Sequence, residues 1–166
     1  TRRSVHRSIQ TILQQNIHQL MQQWMTVEKN RPFFTVVAQE KEIMQHLAGI
    51  PIKLRPDRID RLADGQYILI DYKTGQANHQ HWLSERLTQP QLPLYAITYP
   101  LSLDGLAFAH VKMHQCAFSG LINHTEGLPA LTAFNTLYPD TPQTAKPQLL
   151  AKWKQQLEQL ASDFIE

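Results

Sequence analysis

The sequence predicts an α/β fold in which a mixed β-sheet is flanked by helices, within a single domain of residues 1–166. Two observations carry this prediction. Both ends of the chain show the three- and four-residue apolar periodicity of amphipathic helices, and the stretch between them contains several short apolar runs typical of strands. The length of 166 residues suits one compact domain, and an apolar fraction of 42% is enough for a substantial core.

The first half of the chain predicts a long helix followed by three strands. Apolar residues between Ile9 and Trp24 recur at helical spacing, which predicts an amphipathic helix over residues 2–27. Arg31-Pro32 ends this helix, because the residue before a proline is pushed out of helical geometry. Strands are predicted over residues 33–43, 50–55 and 67–70.

The second half predicts a loop, a short helix, two strands and a final helix. Polar residues favour a loop over residues 74–89, and Pro90 suits the first position of a helix that continues to about Thr98. Two further strands are predicted over residues 103–113 and 115–122, and the last helix over residues 147–165. The expected order is therefore helix, three strands, helix, two strands and helix.

Composition and charge exclude several classes of protein. The longest apolar runs are far shorter than the roughly 18 residues of a membrane span, and no leader opens the chain, so a cytoplasmic protein without a membrane partner is expected. The single cysteine, Cys116, excludes an internal disulfide and an iron–sulfur cluster held by this chain alone. The formal net charge of +2 is too small to indicate a nucleic-acid partner by itself.

The pattern that carries chemistry is a predicted hairpin between Asp57 and Lys73. Asp71 and Lys73 lie two residues apart on a strand, so their side chains share one face of the sheet. A two-residue turn would put Asp57 on the opposite face. A three-residue loop over residues 63–65, with Gly65 in the left-handed conformation, puts Asp57 directly across from Asp71. We predict the three-residue loop.

Two facing carboxylates predict a site for a divalent cation. Opposed residues on paired strands have Cβ atoms about 4.5–5.5 Å apart, so Asp57 and Asp71 repel each other unless a cation lies between them. Carboxylate oxygens favour Mg²⁺, Mn²⁺ or Ca²⁺ over zinc. The same alternation sends Asp60 to the other face, where we do not expect it to be a ligand. The alternative is a solvated hairpin with ordinary charged residues.

Three motifs in order resemble those of the RecB- and AddB-type nuclease domains of the restriction-endonuclease-like, or PD-(D/E)XK, superfamily. They are Asp57-Arg-Ile-Asp, Asp71-Tyr-Lys-Thr-Gly and Gln91-Leu-Pro-Leu-Tyr. The resemblance is greatest to the RecB-family probable DNA repair proteins of bacteria, and it extends from about Trp24 to the last helix. It implies a restriction-endonuclease-like core and an Mg²⁺- or Mn²⁺-dependent deoxyribonuclease. The expected enzyme is an exonuclease rather than an endonuclease, leaves a 5′-phosphate and acts in DNA recombination or repair.

The resemblance also implies roles for individual residues at the active site. Asp57 and Asp71 would bind the metal, with the Tyr72 carbonyl as a further ligand. Lys73 would be the catalytic lysine, which holds the attacking water and stabilises charge on the phosphate. Gln91 would contribute from a helix face that borders the active site and the DNA.

Two accessory residues each have a structural alternative. Tyr95 completes the Gln-x-x-x-Tyr motif with Gln91, and the four-residue spacing puts both on one helical face, but an ordinary amphipathic helix would show the same spacing. Glu40, on the first predicted strand, resembles the acidic residue that precedes the carboxylate pair in the family. A surface charge at a strand edge is the alternative for Glu40.

The chain departs from the family at a metal-ligand histidine that usually precedes the first strand. His6 and His18 lie on the first helix, but neither sits in a matching motif, so we carry the role to neither. His79 and His81 suggest a separate metal site, although histidines in surface loops are commoner. Many relatives also end in an iron–sulfur cysteine cluster, which Cys116 alone cannot form.

The expected partners are DNA and helicase-like regions of the same protein or of a partner subunit. The chain begins with Thr1, which suggests a C-terminal fragment of a larger protein. Two rival interpretations remain open: a nuclease-fold module that has lost turnover and only binds DNA or a partner subunit, and an unrelated interaction domain that binds no metal.

Overall fold

A computed structural model describes residues 2–165, with side chains described for residues 6–163. Within those residues it confirms a mixed α/β fold, in which a central sheet of six strands is flanked by helices. The helices are α1 (Arg2–Lys29), α2 (Gln91–Thr98) and α3 (Ala145–Ile165). The strands are β1 (Phe34–Gln39), β2 (Ile43–Leu47), β3 (Ile50–Leu54), β4 (Arg58–Leu62), β5 (Tyr67–Lys73), β6 (Leu103–His110), β7 (Ala117–Ile122) and β8 (Thr132–Ala133).

The central sheet has the strand order β1-β4-β5-β6-β7-β8. β5 pairs in parallel with β6, and β7 in parallel with β8, whereas the other neighbours are antiparallel. One face of the sheet packs against the helices α2 and α3 through a cluster that includes Leu92 and Trp153. The other face packs against the end of α1 through Trp24. β5 is therefore an interior strand, buried on both sides, as its apolar run predicts.

The stretch predicted as one strand over residues 33–43 is two strands. β1 ends at Gln39, and Glu40 follows with a φ of 51°, in the left-handed region. Ile43 then begins β2, which pairs with β3 in a separate two-stranded sheet. The identity of Glu40 gives no sign of this turn, because glutamate rarely adopts a left-handed backbone. The predicted order of elements also lacks β4 and the short β8.

Helix α1 is predicted correctly, but only its C-terminal part packs against the sheet. The side chains of residues 6–19 are all exposed, and Ile17 in the apolar stripe is 61% exposed. Trp24 is buried, and the centroid of its ring lies 5.8 Å from the ring centroid of Tyr72 and 5.0 Å from that of Phe118. Periodicity therefore indicates the helix without showing which part of the stripe is covered. None of the described helices is both long and apolar enough to cross a membrane.

The remaining boundaries differ only slightly from the prediction. The loop after β5 contains one short 3₁₀ helix, His79–Trp82. Pro90 is the N-cap of α2 rather than its first residue. Helix α3 begins two residues earlier than predicted, at Ala145, because Pro147 lies in its first turn, where a missing N–H breaks no hydrogen bond.

Candidate active site

The β4–β5 hairpin has the predicted three-residue loop. The Leu62 N–H donates to the Gln66 carbonyl at 2.8 Å, and Gly65 has the left-handed φ of 86° that the loop requires. At the other end of the ladder Arg58 pairs with Ile70. Continued by one residue, this register places Asp57 opposite Asp71. The two acidic residues therefore meet at the end of the hairpin, as predicted.

Asp57 lies just before β4 and is tied to the backbone of β5. Its Oδ2 accepts a hydrogen bond from the Tyr72 N–H at 2.8 Å. The N–H and C=O groups of one residue in a strand point to the same side, so the Tyr72 carbonyl also faces this edge. The residue opposite Tyr72 in the continued register is Pro56, which has no N–H to donate. The Tyr72 carbonyl therefore lacks its usual partner in the ladder and suits a metal ligand.

Asp71 is a buried carboxylate beside a lysine. It is 2% exposed, and its Oδ2 lies 2.6 Å from the Lys73 Nζ. Burial raises the pKa of Asp71 above its ordinary value, and the nearby Asp57 carboxylate acts in the same direction. Lys73 and the side-chain amide of Gln91 oppose this rise. An acid whose pKa is raised by desolvation favours a bound cation, because the cation restores the stability of its charged form.

These groups fit a hard divalent cation. Asp71 is a buried carboxylate whose charge is opposed by the nearby Asp57, and a bound cation relieves such an arrangement. The described residues contain no cluster of three or more His, Cys, Asp or Glu side chains suited to hold a metal. The candidate ligands are therefore two carboxylates and the Tyr72 carbonyl. His6 and His18 lie exposed on α1.

Gln91 and Tyr95 occupy different environments on α2. Gln91 is exposed at the start of the helix and interacts with Asp71, whereas Tyr95 is 7% exposed in the core. The Tyr95 hydroxyl accepts a hydrogen bond from the Arg55 N–H at 3.3 Å. Both residues, together with Lys73, line a cavity of about 510 Å³. Gln91 therefore faces the carboxylates, while Tyr95 mainly supports the backbone that leads to Asp57.

We expect Tyr95→Phe to lower stability more than cleavage. The substitution keeps the buried ring and removes one hydrogen bond, so the free energy of unfolding should fall by about 0.5–1.5 kcal/mol. Denaturant unfolding and initial cleavage rates of the same preparation would check this. A loss of cleavage greater than tenfold in fully folded Tyr95→Phe would instead show that the hydroxyl contacts the reacting groups.

The sequence predicts Glu40 on the first strand, but in the structure Glu40 lies directly after β1. Its N–H contacts the carbonyls of Pro56 and Asp57, with N to O distances of 3.1 and 3.2 Å. Its side chain is 58% exposed, and the carboxylate forms an ion pair with Arg55. Glu40 therefore holds the chain next to Asp57 through its backbone, and its side chain lies in solvent.

The opposite face of the hairpin carries a buried ionic network that the sequence did not reveal. Asp60, predicted to point away from the site, is fully buried there and pairs with Arg58 at 2.7 Å and with Arg31 at 2.9 Å. Glu28 of α1 pairs with Arg58 at 2.7 Å, and Arg58 also donates to the Tyr72 hydroxyl. These partners and the neighbouring charges hold the Arg58 pKa well above its ordinary value despite its burial. The network joins α1 to the back of the strand that carries Asp71.

We expect Asp71→Asn to stabilise the metal-free protein. The pKa of Asp71 is raised in the folded state, so its ionisation weakens folding as pH rises above the ordinary carboxyl range. The gain in melting temperature of Asp71→Asn over wild type should therefore grow between about pH 4 and pH 7. Thermal melts in EDTA across that range would measure it. A gain that shrinks with rising pH would contradict a raised pKa.

Comparisons with known proteins point to one family. A family model described as the PD-(D/E)XK nuclease superfamily matches residues 3–165. No curated protein matches the chain. Among solved structures, the chain is similar to one titled "Crystal structure of SSO0001", with 18% sequence identity and a TM-score of 0.32. That similarity covers 62% of this chain and 48% of the other, so this chain spans about half the length of its structural relative.

Proposed function

Since the chain belongs to the PD-(D/E)XK nuclease superfamily, we propose that it is a divalent-metal-dependent deoxyribonuclease with its active site at the end of the β4–β5 hairpin. The observation that carries this proposal is that the register of the hairpin brings Asp57 to Asp71, with Lys73 beside Asp71 on β5. A buried carboxylate with a second carboxylate and an amine close to it is poorly explained by a purely structural hairpin.

Each residue has a distinct task in the proposed reaction. Asp57, Asp71 and the Tyr72 carbonyl would hold Mg²⁺ or Mn²⁺. When bound, the ion supplies an acidified water and neutralises charge on the phosphate. Lys73 orients the attacking water and donates to a phosphate oxygen, where its positive charge is worth most in the transition state. Gln91, at the start of the neighbouring helix, favours the charged form of Asp71.

Several finer features belong to the same proposal and rest on the motif resemblance. They are exonuclease action that leaves a 5′-phosphate, a role in recombination or repair, and a RecB-type place beside helicase-like regions of a larger protein or of a partner subunit. DNA is the substrate that the nuclease family favours.

A second candidate is a nuclease-fold module that binds DNA or a partner subunit without turnover. One observation favours it: among the described side chains only two carboxylates meet at the site, with no third acidic or histidine ligand. Such a set predicts weak Mg²⁺ binding, because Mg²⁺ then keeps several waters and relies on substrate phosphate for completion.

Cleavage of end-labelled linear DNA and of closed circular DNA, with and without Mn²⁺, separates the two candidates. The proposed nuclease degrades linear DNA only when the metal is present, and an exonuclease leaves the circle intact. Binding of DNA without any cleavage at saturating Mn²⁺ would establish the non-catalytic module instead.

A further inference from the structure

A second cavity, with a polar lining, adjoins the candidate active site. It has a volume of about 530 Å³, within the range of cavities that hold small ligands. Gln76 and Ala77 line both this cavity and the one that contains Lys73, so the two spaces are neighbours. Its polar lining includes Asn78, His79, His81, His110, Lys112 and Ser119.

His110 lies next to Lys73, on the neighbouring strand of the sheet. It is the partner of Lys73 in the parallel pairing of β5 and β6, so both side chains lie on one face. Neighbouring strands are about 4.7–4.9 Å apart. A DNA strand with its reacting phosphate at Lys73 can therefore place an adjacent nucleotide beside His110 if it runs across the sheet in the direction of β6.

The pairing of His110 with Ser119 leaves one hydrogen-bond donor available. The His110 Nε2 lies 2.7 Å from the Ser119 Oγ. If the serine donates, the imidazole carries its proton on Nδ1; if the imidazole donates, the serine hydroxyl proton is available. A phosphate oxygen or a base acceptor can use either donor.

The chemistry of the lining favours a nucleotide over a cation. Among the described residues that line this cavity none is acidic, and Lys112 supplies a positive charge. Amide, imidazole and hydroxyl groups provide donors and acceptors of the kind that bind phosphate and base edges. A base that is stacked and paired in a duplex cannot enter a cavity, whereas an unpaired nucleotide can.

We propose that this cavity binds one unpaired nucleotide next to the reacting phosphate, with the His110–Ser119 pair contacting that nucleotide. The inference rests on the proposed function for the position of the strand. It names the substrate class as single-stranded DNA or an unpaired DNA end. His110 and Ser119 act as specificity-determining residues and take no part in the chemical step.

The test is the affinity for a fluorescein-labelled 12-nucleotide single strand and for the same sequence as a duplex, measured by anisotropy in EDTA. The proteins are wild type, His110→Ala, Ser119→Ala and the control His46→Ala, whose imidazole is exposed on β2. His110→Ala should weaken single-strand binding about tenfold and Ser119→Ala about threefold, the effects expected for hydrogen bonds to a charged ligand. His46→Ala should bind as wild type does, and duplex affinity should change less than twofold in every variant.

Two results would overturn the inference: wild-type single-strand affinity in both cavity variants, or an equal loss for single strand and duplex. Failure of wild type to bind the single strand overturns it as well. Melting temperatures show whether a variant is unfolded. If His110→Ala is unfolded, the single-strand affinity of Ser119→Ala, a smaller change, tests the inference. Cleavage with Mn²⁺ is measured separately. If wild type cleaves DNA and His110→Ala binds the single strand as well as wild type does, only the cavity proposal is wrong. If His110→Ala loses single-strand affinity and wild type does not cleave, only the nuclease proposal is wrong.

Discussion

Lys73→Ala is expected to lower the cleavage rate constant by about 10²–10³, the usual effect of removing one preorganised charged donor from a transition state. The lysine side chain is 34% exposed and its Nζ lies 2.6 Å from Asp71. It is therefore positioned at the metal-binding carboxylate without being a ligand itself. Metal binding should persist, because the two carboxylates and the Tyr72 carbonyl are unchanged. Single-turnover cleavage at saturating Mn²⁺ isolates the chemical step.

Lys154→Ala is the matched control for this experiment. Lys154 lies on α3, its side chain is 65% exposed, and its nearest carboxylate is that of Glu158 at 3.9 Å. Its removal changes the net charge of the protein by the same amount without touching the site. Equal rates for wild type, Lys73→Ala and Lys154→Ala would remove Lys73 from the mechanism.

Asp60→Ala is expected to cause the largest loss of stability, about 3–5 kcal/mol in the free energy of unfolding. Removing one partner from a buried ionic network leaves the others without compensation, and this loss is larger than the net contribution of the pair itself. Arg31 and Arg58 are 2% and 7% exposed at their side chains, so neither can turn to water without moving α1 or β4. Denaturant unfolding gives the difference directly.

Asp140→Ala provides the control for that loss, since Asp140 is exposed and its removal also changes the charge by one. Surface substitutions of this kind usually change stability by less than about 0.5 kcal/mol. If Asp60→Ala and Asp140→Ala unfold at the same denaturant concentration, the network on the back of the hairpin contributes nothing to holding α1. The position of α1 would then depend on Trp24 and its aromatic neighbours.

The sequence predicted the hairpin because local rules determine its register. Gly65 sits where a three-residue loop needs a left-handed residue, and side chains alternate strictly along a strand. Those two rules place Asp57 opposite Asp71 and Asp60 on the far face; the observed register, continued by one residue, agrees with the first, and the buried pair of Asp60 with Arg58 agrees with the second. Local rules were therefore sufficient for the register of the hairpin.

Features that depend on distant contacts were not predicted. Glu40 turns the chain with a left-handed backbone that its side chain does not favour, so the sequence predicts one strand where the structure has two. Arg31 and Asp60 meet only after α1 returns to the sheet, and no spacing in the sequence signals that pair. His110 becomes a neighbour of Lys73 through the parallel pairing of strands that are far apart in sequence.

The most direct test of the proposed metal site is the Mn²⁺ concentration that gives half-maximal DNA cleavage, measured for wild type and Asp57→Asn. Asparagine keeps the size of the side chain and can still accept the hydrogen bond from the Tyr72 N–H, so the hairpin should remain intact. If Asp57 is a ligand, the half-maximal concentration should rise at least about tenfold, the lower end of what even supporting residues of metal sites cost. The same metal dependence in both proteins would show that no ion is held between Asp57 and Asp71.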